Sequence, residues 1–139
     1  MDLVDQLRDG PAWLPPLSLV AIGTGGTVIG HVLATRGHVG PMPALGLGPL
    51  GVHPDHQRRG VGSALMHAVL AAADALDEPL VALLGDPAYY TRFGFWPSAD
   101  YHIMPPVAHW QPHFQVRPLT AYDPVLRGTF TYAEPFGRL

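Results

Sequence analysis

Residues 57–63, Gln-Arg-Arg-Gly-Val-Gly-Ser, set two arginines and two glycines at the start of a helical stretch. Gly60 and Gly62 have no Cβ, so the backbone can bend sharply there and a ligand can approach it closely. The helix that follows opens on unpaired N–H groups and the positive end of its dipole. Free amides at Gln57, Arg58, Arg59, Gly60, Val61, Gly62 and Ser63, with two added positive charges, describe an anion site, best matched to phosphate. On spacing alone, a glycine-bearing turn that merely starts a surface helix fits equally well.

Eight histidines raise the question of a metal. His53 and His56 are three apart, and His109 and His113 four apart. No third-ligand pattern such as H-E-x-x-H accompanies either pair, and the first lies in a loop, so no metal is expected. The absence of cysteine removes disulfides, a catalytic thiol and cysteine metal sites, and fits a cytoplasmic setting. All eight basic residues are arginine, so no lysine is available as a Schiff-base nucleophile. A net charge of −3 supplies no basic field for nucleic acid. No apolar run is long enough to span a bilayer, and the acidic start MDLVDQLRD is unlike a signal peptide. With 139 residues, 47% hydrophobic and 14% charged, residues 1–139 read as one globular domain with a real core.

The elements that must position the loop follow from periodicity and punctuation. Residues 2–9 read as the end of a helix stopped by Gly10 and Pro11. The apolar run Leu17 to Ile22 reads as a buried strand. The turn Gly23 to Gly26 then leads into a returning strand, Thr27 to Thr35. Gly37 to Pro43 reads as a loop, and Ala44 to His53 as a central strand. Gly46, Gly48, Pro49 and Gly51 predict a bulge or a close backbone approach in that strand. The helix is expected from about Arg59 to Leu76, with Val61, Leu65, Ala68 or Val69, Ala72 and Leu76 as its buried stripe. Leu80 to Leu84 is a fully apolar strand, completing a right-handed strand–helix–strand crossover. Pro87 to Phe93 reads as a short helix capped by Asp86. Phe114 to Leu119 and Gly128 to Tyr132 read as further strands.

Two motifs then carry a family resemblance. Residues 50–62, LGVHPDHQRRGVG, resemble the acetyl-CoA pyrophosphate loop of the GNAT superfamily of N-acyltransferases, with its Q/R-x-x-G-x-G/A pattern after an apolar strand. Residues 84–95, LGDPAYYTRFGF, resemble the segment after that family's next strand, in a subgroup with a YYxRFGF signature. The resemblance spans roughly residues 16–119. It implies a mixed α/β fold: a mostly antiparallel sheet splayed between the central strand and its parallel neighbour, with helices on both faces. It also implies acetyl-CoA as co-substrate, an acyl-pantetheine arm lying in the splay, and no metal. A typical member has a strand and another helix before residues 2–9, and this chain is expected to lack them. An exposed apolar edge and a homodimer are the expected consequence.

The resemblance also assigns roles. Amine acylation by a thioester requires a held donor, a polarised carbonyl and two proton movements. Holding the donor falls to residues 57–63, and polarising the carbonyl to a backbone N–H near Leu50, Gly51 or Val52. Tyr90 falls in register as the general acid, four residues before Gly94 and five before Phe95. A phenol of pKa about 10 is protonated at neutral pH and can give its proton to a thiolate. Tyr89, about a quarter-turn away on a helix, is expected to pack. Asp86 is a candidate for touching the donor arm, and Arg92 for clamping the turn. His53, at the end of the central strand, is the first candidate for general base, with His31 second. The acceptor, a small-molecule or peptide amine, is not legible. A degenerate acyl-CoA-binding module without turnover is the rival reading.

Overall fold

The computed structural model describes residues 13–132. The helix expected over residues 2–9 lies outside the described residues. The chain forms strands β1 (Ser18–Ile22), β2 (Val28–Val39) and β3 (Met42–Val52), then helix α1 (Val61–Ala75) and strand β4 (Leu80–Leu84). The short helix α2 (Pro87–Tyr90) follows, with strands β5 (Trp96–Pro97), β6 (Ile103–Met104), β7 (Phe114–Pro118) and β8 (Gly128–Thr131). The sheet runs β5-β7-β4-β3-β2-β8-β6, with β1 paired to the free half of β2. All pairings except β3 with β4 and β6 with β8 are antiparallel.

One face of the sheet carries α1 over Val32, Ala34, Leu45, Leu47, Val81 and Leu83. The aromatics after β4, including Phe93 and Phe95, join this cluster. The other face closes over Phe114, Phe130 and Ile103 with the aromatic rings of Tyr101, Trp110, Tyr122 and Tyr132, carried largely by 3₁₀ turns and short strands.

Three expectations need correcting. The segment Gly37 to Pro43 is not a loop: β2 runs through Gly37 to Val39 and turns directly into β3. Gly37 is there because β8 comes close. A Cβ at that position would sit 2.6 Å from the Phe130 ring and 2.8 Å from the Thr131 carbonyl oxygen. The glycine marks a crowded strand and not a break. Secondly, β1 is an edge strand and not a buried one: Val20 and Ile22 are each 56% exposed. An unbroken apolar run measures hydrophobicity but does not say that both faces are covered. Thirdly, the buried stripe of α1 is Leu65, Met66, Val69, Leu70 and Ala73, while Leu76 is exposed past the last helical turn. Two adjacent rows of the helix face the sheet, so the stripe is wider than a single i, i+3/i+4 track.

The central strand carries the irregularity that its glycines and proline predict. Val32 pairs with Leu50 and Ala34 with Leu47, so Gly48 and Pro49 together oppose Leu33. Two residues against one is a β-bulge. Beyond it, β3 and β4 part. They pair only at Leu45–Val81 and Gly46–Ala82, and β4 continues against β7 alone.

Candidate active site

The site begins where β3 leaves β4. His53 sends its N–H across to the Ile29 carbonyl at 2.7 Å, and the Val52 carbonyl accepts from Gln57 Nε2 at 3.1 Å. Successive strand residues aim their backbone groups to opposite edges. Val52 and Leu50 therefore offer theirs to the opening and not to β2.

The chain then crosses a 3₁₀ turn, Pro54–His56, and reaches α1 through two left-handed residues. Arg58 has φ 65° and Gly60 has φ 82°. A left-handed arginine is strained, and strain of this kind clusters at ligand sites. Gly60 is the N-cap of α1 and supplies no capping side chain. The N–H groups of Arg58 through Ser63 meet no acceptor among the described residues. Six consecutive free amides, at the positive end of a 15-residue helix, make a cradle of the kind that can hold an anion.

A cleft of about 550 Å³ opens over this cradle, lined by Leu50, Val52, Gln57, Arg58, Gly60, Gly62 and Ser63. The structure thus joins seven sequence-nominated residues in one place. Its opposite wall is Tyr89 and Arg92, with His56 at the rim. Tyr89 therefore does more than pack. Its hydroxyl lies beside Gly62, where a Cβ would come within 3.1 Å. The ring also meets Tyr90 edge-to-face (4.8 Å) and lies tilted against Phe93 (5.4 Å). Tyr89 and Arg92 are three apart on a helical turn, and that spacing was the signal for a shared face. The Arg92 guanidinium lies over the Tyr89 ring at 4.8 Å. Clamping the turn falls instead to Arg117, whose Nε donates to the Phe93 carbonyl at 2.7 Å.

The other nominated residues do not line this cleft. Val61 packs inward against Gly30, and Arg59 is exposed. Asp86 caps α2, its Oδ1 accepting from the Ala88 N–H at 2.9 Å. Gly51 lies under the His31 ring, where a Cβ would meet His31 Cε1 at 2.9 Å. Tyr90 packs its ring over Gly85, just past the end of β4, and edge-on to Phe95 at 6.0 Å. Its hydroxyl has no hydrogen-bond partner among the described residues. Burial, then the neighbouring Tyr89, raises its pKa above the ordinary tyrosine value.

The two candidate bases differ in their free nitrogens. His53 caps the 3₁₀ turn, its Nδ1 accepting from the Asp55 N–H at 3.2 Å. A neutral imidazole has one accepting nitrogen, and here it is occupied. The His31 ring makes no hydrogen bond among the described residues. No three metal-ligating side chains come together among the described residues, and no described helix is long and apolar enough to cross a membrane.

Known proteins resemble this arrangement along most of the chain. A family profile described as an acetyltransferase (GNAT) domain matches residues 17–97. YjhQ of Escherichia coli K12, an uncharacterised N-acetyltransferase, is 32% identical over 96% of this chain and 78% of its own length. The crystal structure of the GNAT-family N-acetyltransferase YhbS from Escherichia coli, in complex with CoA, superposes with a TM-score of 0.90 at 30% identity, covering 99% of this chain and 77% of that one. A GNAT-family acetyltransferase from Brucella melitensis, in complex with acetyl-CoA, gives 0.76 at 31% identity over 96% of this chain and 75% of that one.

Proposed function

The chain belongs to the GNAT acetyltransferase family, and from that membership we propose that it moves an acetyl group from acetyl-CoA directly onto an amine. The observation that carries the reading is the row of unfilled amides from Arg58 to Ser63, set beside the parting of β3 and β4. The amides take the diphosphate of the donor, and the thioester arm runs into the opening toward Tyr90. The amine nitrogen attacks the thioester carbon, and the oxygen's developing charge meets a backbone N–H of Leu50 or Val52. The tetrahedral intermediate gives up the nitrogen's proton to a base and collapses with loss of the thiolate, which takes a proton from Tyr90. No covalent enzyme intermediate is needed.

Screening CoA release against a library of amines, polyamines, amino acids and peptides tests the reading. Turnover with at least one amine is expected. Donor binding with no release from any of them would leave a binding module.

For the base, His31 is better placed than His53, because its ring rests on Gly51 with both nitrogens free. Replacing His31 with Ala should lower turnover by about tenfold, with acetyl-CoA binding kept. His53→Ala should stay within about twofold, because its accepting nitrogen already serves the 3₁₀ turn. The reverse ranking, or unchanged turnover in both variants, would reassign proton removal to His53 or to water.

A further inference from the structure

We propose that Arg92 makes this protein select coenzyme A over its dephospho form, by binding the phosphate on the 3′ hydroxyl of the adenosine. The inference rests on the acetyl-CoA reading above and deepens it. A second cavity, about 400 Å³, lies next to the donor cleft, and Arg92 lines both. One of its walls is α1 from His67 to Asp74; the other is the turn after α2 together with Arg117.

Coenzyme A carries a diphosphate on one side of its adenosine ribose and a separate phosphate on the 3′ hydroxyl. A diphosphate seated on residues 58–63 leaves that third phosphate close by and still charged. The charged groups facing the second cavity differ in what they have left to offer. Arg117 is committed to backbone: Nε to the Phe93 carbonyl at 2.7 Å, and a terminal nitrogen to the Pro118 carbonyl at 3.3 Å. Asp74 is turned to Thr120, accepting from its N–H at 2.9 Å and its hydroxyl at 3.1 Å. Arg92 donates to no acceptor among the described residues. The Tyr89 ring at 4.8 Å holds its guanidinium in place and leaves the N–H edges open. A planar fork of free donors, fixed at the boundary of two cavities, suits a second phosphate better than a neutral sugar.

Calorimetric titration with acetyl-CoA and with 3′-dephospho-acetyl-CoA tests this on the parent protein, Arg92→Gln and Arg92→Lys. The parent should bind acetyl-CoA about tenfold more tightly than the dephospho form. Arg92→Gln should shrink that ratio below about twofold, while Arg92→Lys keeps the charge and most of the preference. Equal binding of both donors by the parent overturns the assignment and leaves donor binding standing. So does an Arg92→Gln variant that weakens both donors by one factor and keeps their ratio. A parent that binds neither donor overturns the acetyl-CoA reading itself.

Discussion

Tyr90→Phe is expected to lower turnover by about 10²–10⁴-fold, the usual range for a general acid, while acetyl-CoA binds almost as before. The ring contacts with Tyr89 and Phe95 do not involve the hydroxyl, so packing survives. That hydroxyl serves no other group among the described residues, so its loss strands no hydrogen-bond partner. The loss should therefore appear in the chemical step and not in donor affinity. Burial sets the pH dependence. A phenol with a raised pKa stays protonated through neutral pH and loses its proton only above the ordinary tyrosine range. The parent's alkaline limb should fall in that higher range and flatten in the variant. Tyr89→Phe is the comparison, because its hydroxyl borders the same opening from the Gly62 side. If Tyr90→Phe turns over within about threefold of the parent while Tyr89→Phe loses the larger factor, the proton comes from Tyr89.

Gly60→Asp should weaken acetyl-CoA binding on the order of a hundredfold, through the charge it puts beside the diphosphate. Space is not the obstacle, since a Cβ on Gly60 meets nothing within 4 Å. Conformation is a smaller one. At φ 82° any side chain costs about 1–2 kcal/mol, with Asn and Asp the best tolerated. Gly60→Asn therefore serves as the partner variant, with a similar volume and strain and no charge. Calorimetry should find the Asn variant within a few-fold of the parent and the Asp variant far weaker, with far-UV circular dichroism the same for both. Equal losses in the two would assign the effect to backbone strain. Unchanged binding by Gly60→Asp would move the diphosphate away from this cradle.

Sequence by itself determined the features set by neighbours a few residues apart. The glycines at 60 and 62, together with the apolar stretch after them, placed the start of α1 to within two residues and every expected free amide but that of Gln57, which donates to the Pro54 carbonyl at 3.5 Å. The unbroken run Leu80 to Leu84 marked β4, and Asp86 before Pro87 marked the cap of α2. The crowding of Gly48, Pro49 and Gly51 marked the bulge in β3. Each of these rests on local backbone chemistry. Tertiary structure alone decided which side chains meet across the chain. Gly37 looked like a loop until Phe130 and Thr131, almost a hundred residues later, closed against it. Val20 and Ile22 looked buried because composition does not say that β1 has one neighbour among the described residues. Tyr89 and Tyr90 are adjacent and chemically identical, and the Tyr-Tyr dipeptide says nothing of which one faces α1. The seating of α2 against α1 and β4 turns Tyr89 toward Gly62 and Tyr90 toward Gly85. His31 and His53 are likewise equivalent as letters. The Asp55 amide occupies one and leaves the other free, a difference that arises only once the turn after β3 has closed on itself.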